Sequence, residues 1–282
     1  MTSGKHEPGT GEESGWAAVV SDGSALRGSG VAVDLIVQEF ARHLGGLAQV
    51  PVRPVTLDAT DAAQLVAGVR ALPPDAGAVL LTHADPGRTR AAQKELRAGG
   101  ARPVVTDQDA TAIALTAALL GAVTGHGRRS GGLQCGRVVL AGARELPILA
   151  PLLVAAGFAD LTLWNPADAG RLPLRNVVSG AHAVLDLVGG LPGWAAAEHD
   201  LGMIVITRGD AYTAPCAAAG LLRAALRTSA GAWFDVETYH TAALALAAAG
   251  AGWPVSHGKA RALTHRVTDS VTQLFRTRQN TS

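Results

Sequence analysis

The chain has 282 residues, 48% of them hydrophobic and 17% charged, enough for a large core in one big or two ordinary domains. A formal net charge of +1 and an aromatic content of 4% exclude a nucleic-acid surface and leave no field to hold an anionic membrane. The two cysteines, Cys135 and Cys216, exclude a disulfide framework and a four-thiolate zinc site, and are expected to be small buried apolar residues.

Residues 1–15 are rich in Gly, Glu, Ser and Thr, lack the apolar stretch of a signal peptide and read as a disordered tail. Trp16-Ala-Ala-Val-Val20 predicts a short strand closed by the turn Ser21-Asp22-Gly23. A helix is expected over 33–43, with Leu35, Ile36 and Phe40 on one side, then a strand over 52–57. Leu65, Val66 and Val69 form the inner face of a helix over 61–71, which Pro73-Pro74 stops. A buried strand at 78–81, a charged helix at 88–97 and a strand at 103–105 follow. Residues 109–123 read as a buried helix; its apolar run, 110–123, contains Thr111 and Thr116 and is too short to span a bilayer.

A polar, glycine-rich joint at 125–132 leads to a second series. It comprises strands at 137–140, 161–164, 183–187 and 203–206, a helix over 146–156, and helices over 236–249 and 260–276. Continuous apolar strands alternating with helices imply parallel βα units covered on both faces. The expected fold class is therefore α/β: an N-terminal parallel-sheet domain over 16–125, then a second domain over 126–282 that carries the C-terminal helices. These features point to a cytoplasmic protein. Lysine occurs only at Lys5, Lys94 and Lys259, and tyrosine only at Tyr212 and Tyr239, so a Lys or Tyr proton carrier has few candidates.

Four segments, in order, carry a family resemblance. Val19-Val-Ser-Asp-Gly-Ser24 is a strand and turn; Pro54-Val-Thr-Leu-Asp58 is followed by Asp61. Pro103-Val-Val-Thr-Asp-Gln-Asp-Ala-Thr-Ala-Ile113 is a strand ending in an aspartate ahead of a helix, and Gly220-Leu-Leu-Arg-Ala-Ala-Leu226 precedes the long alanine-rich helix. Together they resemble the malic enzymes. The resemblance implies that the second domain is Rossmann-like, of the NAD(P)-binding type, and that the chain assembles as a homodimer or larger oligomer.

Oxidative decarboxylation of malate needs a hydride acceptor, a base for the hydroxyl proton, a divalent metal to polarise the forming carbonyl, and an acid to protonate the enol. The family takes base and acid from a Lys and a Tyr, and binds metal through one Glu and two Asp. Counted back without gaps from Leu57, the lysine position is Phe40; the glutamate two residues before it is Gln38, and a further aspartate is Pro51. The family's tyrosine belongs to an N-terminal arm, where this chain is expected to have only its tail. The metal-binding Glu-Asp pair corresponds to Thr82-His83, and Asp107 alone keeps a carboxylate. A divalent metal is thus not expected. His83, Asp85, Asp107 and Asp109 remain as a candidate His/Asp cluster at strand ends, against the plainer reading of solvated loop groups, with Asp109 capping a helix that starts at Ala110.

The dinucleotide pattern G-x-G-x-x-G falls on Gly142-Ala-Arg-Glu-Leu-Pro147. Gly142 supplies the tight turn, but Arg144 stands where backbone should approach the pyrophosphate, and Glu145 brings a negative charge. The acid expected at the end of the next strand is Asn165. Gly142, Arg144 and Asn165 are the candidate contacts if NAD or NADP still binds, with Arg144 reaching a phosphate by its side chain. The asparagine-rich substrate segment corresponds to 214–219, which has none. Asp22-Gly23 reads as a turn, Asp58 and Asp61 as helix caps, and Arg223 as a helix-surface or interdomain ion-pair residue.

Three functions follow. The first is a malic-enzyme-like pseudoenzyme, acting as a binding or accessory protein for a small organic acid or nucleotide. The second is an enzyme with altered chemistry in the same interdomain cleft, built on His83, Asp107, Asp109 or Arg144. The third is an NAD(P)-dependent oxidoreductase of the malic-enzyme type, for which Lys94 or Lys259 would have to enter the cleft.

Overall fold

The computed structural model describes residues 15–27, 30, 32–100, 102–125, 136–189, 203–228, 233–250 and 256–281. Residues 1–14, most of the expected glycine-rich joint and Cys135 lie outside them. Strands β1 (Trp16–Ser21), β2 (Val52–Thr56), β3 (Ala76–Leu81) and β4 (Val104–Thr106) form one parallel sheet in the order β2-β1-β3-β4. Strands β5 (Val138–Ala141), β6 (Leu161–Trp164), β7 (Ala183–Asp186) and β8 (Ile204–Thr207) form a second, in the order β6-β5-β7-β8. The central strands β1, β3, β5 and β7 are buried almost throughout, as continuous apolar runs require when helices cover both faces. The protein is α/β, with two four-stranded parallel sheets.

The helices are α1 (Val33–Ala48), α2 (Ala62–Arg70), α3 (Pro86–Ala98), α4 (Asp107–Gly125), α5 (Leu149–Ala155), α6 (Leu174–Val178), α7 (Ala214–Leu226), α8 (Val236–Ala248) and α9 (His257–Thr281). Their starts follow local chemistry. Asp61, Asp85 and Asp235 each cap a helix by accepting a backbone N–H three residues on, and Pro86 sets the first turn of α3. Asp58 makes no such cap, and α4 begins three residues before Ala110. There Thr106 and Asp109 exchange bonds: the Asp109 N–H donates to Thr106 Oγ1 at 3.0 Å, and the Thr106 N–H donates to Asp109 Oδ2 at 3.1 Å. Asp109 therefore sits inside the first turn rather than ahead of it.

The expected helix over 146–156 is the shorter α5, Leu149–Ala155, preceded by a 3-10 turn at Ala143–Glu145. Helices α6 and α7 were not anticipated from periodicity. Helix α7 is buried on nearly every side, so it presents no amphipathic stripe to read. It packs against β1, β3, β4, α1 and α4, so the C-terminal helices reach the first sheet; α8 packs on α4, and α9 on α7 and α8. At Gly220 on α7 a Cβ would stand 2.6 Å from Val267 of α9, so glycine permits this helix contact. Among the described residues, no helix is long and apolar enough to cross a membrane.

Candidate functional site

In each sheet the chain runs outward from the first strand to the second, then returns across the first to the third. Parallel sheets bind ligands in the crevice at the carboxyl ends of the strands where this reversal occurs. The crevices here lie between the loops after β1 and β3, and between those after β5 and β7.

The first crevice is closed by its own side chains. The Asp22 side chain is 0% exposed; its Oδ2 accepts from Arg88 Nη1, which also donates to the Ala59 carbonyl at 2.8 Å. Asp22 Oδ1 accepts from the N–H and hydroxyl of Ser24, at 2.9 and 2.6 Å, and Ser24 Oγ accepts the Asp85 N–H at 2.6 Å. The loops after β1, β2 and β3 are thus laced together through Arg88. Burial works to raise the Asp22 pKa, but the hydrogen bonds from Ser24 and Arg88 and the guanidinium charge outweigh it and hold the carboxyl below its usual value. Gly23 adopts φ +65°, and a Cβ there would stand 2.6 Å from Val33, so the turn needs glycine twice over.

Beside this lacework, Thr82, His83 and Asp107 form a line. Thr82 Oγ1 and the His83 N–H both donate to Asp107 Oδ2 at 3.2 Å, and His83 Nδ1 lies 3.1 Å from Thr82 Oγ1. With its Nδ1 protonated, His83 would donate to Thr82, which donates onward to Asp107. Burial pushes the His83 pKa down, towards the neutral ring, and pushes that of Asp107 up. His83 holds φ +52°, a left-handed conformation that histidine tolerates better than most residues. The Phe40 ring stands edge-on against the imidazole, 5.4 Å between centroids and 86° between planes. Both rings line an open groove of about 490 Å³ with Leu35, Ile36, Glu39 and His43.

The second crevice is crossed differently. Gly142 has φ +86°, and a Cβ there would stand 2.8 Å from Val188 and 3.2 Å from Leu187, so β5 and β7 leave little space between their exits. The Arg144 N–H donates to Asn165 Oδ1 at 3.0 Å. Arg208, after β8, donates from Nε to the Leu187 carbonyl at 2.9 Å and pairs with Glu145. The Arg144 side chain is exposed.

No protein-family profile matches the sequence, and no curated protein matches it. Solved structures do match. A malic enzyme from Pyrococcus horikoshii Ot3 superposes with TM-score 0.74 at 15% identity, covering 95% of this chain and 77% of that one. An NAD-dependent malic enzyme from Thermotoga maritima gives 0.71 at 17%, covering 92% and 84%, and the malic enzyme of Entamoeba histolytica 0.65 at 16%, covering 96% and 77%. The chain has a malic-enzyme-like fold.

Within that fold the candidate residues separate. Phe40, His83 and Asp107 come together at the first crevice. Asp85 turns its carboxylate to the Arg88 N–H as the cap of α3, and Asp109 faces away from His83 towards α3 and α8. Among the described residues no three His, Cys, Asp or Glu side chains group closely enough to hold a metal ion. At the second crevice Asn165 is joined to the Gly142 loop by the bond to Arg144. Lys259 lies on α9, bonded to the Gly250 carbonyl at 3.3 Å, and Lys94 is exposed on α3, lining a cavity with Asp109, Pro147 and Ile148 rather than the groove of Phe40 and His83. Arg223, expected on a surface or in an ion pair, is buried on α7, with Nη1 3.4 Å from Gln49 Oε1 and 3.2 Å from His265 Nε2. Cys216 is buried, and burial pushes its thiol pKa up.

Sequence reading missed two constellations. One is the Arg88–Asp22 anchor. The other is the cluster around Asp109, whose Oδ2 accepts from the Tyr239 hydroxyl at 2.8 Å and the Gln93 amide at 2.5 Å, while Arg97 donates to the same hydroxyl at 2.6 Å. Burial first, and the neighbouring Asp109 second, push the Tyr239 pKa far above its usual value. Tyr239 is thus a fixed donor, pinning α8 to the start of α4. Its partner lies 130 residues away, and no local pattern announces the pair.

Proposed function

We propose that this chain is a malic-enzyme-fold protein that does not oxidatively decarboxylate malate, and that acts as a binding or accessory protein for a small anionic metabolite. The observation that carries the reading is Phe40 against His83. At the position the resemblance assigns to the proton-accepting lysine stands a phenyl ring, which has no proton to exchange. It packs on the residue standing where the family has a metal-binding carboxylate.

The fit of the implied groups supports the same reading. A divalent cation with oxygen ligands needs several hard donors converging on one point. Here one carboxylate, Asp107, is already bonded to Thr82 and His83, and its raised pKa reflects a site that disfavours charge. A dinucleotide needs open backbone N–H groups after the first glycine. Here one is taken by Asn165, and a carboxylate joined to Arg208 stands beside it. These residues fit neither group.

The test is a spectrophotometric assay of malate-dependent NAD and NADP reduction with Mn²⁺. The reading expects no turnover above the protein-free rate, in wild type and in Phe40→Lys alike, because a restored lysine would still lack metal and cofactor. Reduction by the wild-type chain would overturn it. A second reading, altered chemistry in the same fold, is favoured by the His83–Thr82–Asp107 line; it requires an activity that His83→Asn abolishes and Arg144→Ala spares.

A further inference from the structure

Apart from both crevices, the cleft between the sheets holds a cavity of about 360 Å³. It is lined by Arg90, Lys94 and Arg97 of α3, by Asp109, and on the far wall by Pro147 and Ile148. The three cations recur at i, i+4 and i+7, so they share one helix face. Among the described residues Asp109 is the only carboxylate of the lining, and it is committed to Tyr239, Gln93 and the Thr106 N–H. Arg90 donates to the neutral Gln108 amide oxygen at 3.1 Å and has no carboxylate partner among the described residues. Arg97 stands 3.8 Å from Asp109, and its buried Nε has no hydrogen-bond partner. Lys94 is exposed and has no partner among the described residues.

Three cations against one carboxylate leave a net positive lining, facing an apolar wall, at a volume within the range of small-molecule sites. The charge is concentrated on one side. A dicarboxylate laid across the cavity would place its second charge against Pro147 and Ile148, and one laid along α3 would leave that apolar wall bare. A compact dianion with a short apolar body places both charges on α3.

We propose that this cavity binds a small organic phosphate monoester. Its oxyanion lies between Arg90 and Lys94, and its carbon body rests on Pro147 and Ile148. The physiological meaning of such a site rests on the reading above that the chain is a binding protein. Arginine supplies directed paired donors and lysine a mobile point charge, a combination suited to a tetrahedral dianion.

Calorimetric titration of the full chain, without nucleotide or metal, tests the proposal with three probes: propyl phosphate, inorganic phosphate and succinate. Propyl phosphate is expected to bind, more tightly than inorganic phosphate because its alkyl chain meets the apolar wall, with succinate silent and the affinity falling as salt is raised above about 0.1 M. Lys94→Gln and Arg90→Gln each weaken binding by about tenfold, the loss that follows removal of one charge-assisted hydrogen bond. Arg90→Lys recovers part of it, and Lys259→Gln changes nothing. Lys94 is exposed, so its substitution leaves folding intact, which a circular dichroism spectrum checks. No heat from either phosphate, equal affinity in wild type and both glutamine variants, or succinate binding in their place would overturn the proposal. The probes contain neither nicotinamide nor malate. This test can therefore fail without touching the proposed function, and malate oxidation would overturn that function without touching this site.

Discussion

The carboxyl edges of the two sheets occupy corresponding places in corresponding topologies, yet they are closed by different physics. At the first edge the closing side chains are buried: that of Asp22 is wholly covered and that of Arg88 is 16% exposed. Three loops depend on that one pair. At the second edge the closing groups are at the surface, with Arg208 and Glu145 49% and 48% exposed, and only the glycine turn at Gly142 is tightly constrained. A buried ion pair need not stabilise a fold relative to apolar residues, but removing one partner strands the other charge. A half-exposed pair is screened by water and contributes little. The first edge should therefore behave as part of the core, and the second as a surface that can be altered.

The largest effect is expected at the first edge. Asp22→Ala removes the carboxylate paired with Arg88, which keeps only the Ala59 carbonyl, and the acceptor of the Ser24 N–H; it should cost about 3 kcal/mol, read as a lower denaturant midpoint at neutral pH. The pH dependence sharpens this. The folded-state pKa of Asp22 lies below its ordinary value of 3.8, so its contribution is complete above that value and disappears as pH falls through the folded-state pKa. The gap between wild type and Asp22→Ala should close in acid below about pH 3.8; a gap that widened there would remove Asp22 from this role.

Next comes Gly142→Ala. Left-handed φ and the approach to Val188 and Leu187 together should cost about 1–2 kcal/mol, measured in the same way. A neutral result would mean that the two strand exits are less crowded than the geometry states. The smallest effect belongs to Arg208→Ala, at less than about 1 kcal/mol, because a half-exposed pair is lost. If it proved as costly as Asp22→Ala, the contrast between the edges would fail.

The sequence made much of the frame legible and little of the closure. All eight strands were readable: the central ones, β1, β3, β5 and β7, because strands buried on both faces are continuous apolar runs, and the edge strands β2 and β6 from their β-branched and apolar residues between turns. Helix α7 was not, since a helix covered on all sides shows no stripe, and its start, Ala-Pro-Cys-Ala-Ala-Ala, looks like any small apolar segment. Asp22 looked like an ordinary turn residue because its partner Arg88 lies 66 positions on, on another element. Asp109 was read as a cap from its neighbours alone. Its geometry is set as much by Tyr239 and Gln93, which only the tertiary fold brings near. Spacing reports which way a side chain faces; it does not report what comes to meet it.

The most direct test of the central claim is a calorimetric titration of the purified chain with NAD and NADP, each with and without Mn²⁺ and malate. The account predicts no binding heat under any of these conditions, because Asn165, Glu145 and Arg208 already engage the groups around Gly142. Clear binding that Arg144→Ala abolishes would contradict it, and would mean that the second crevice is a rebuilt nucleotide site rather than a closed one.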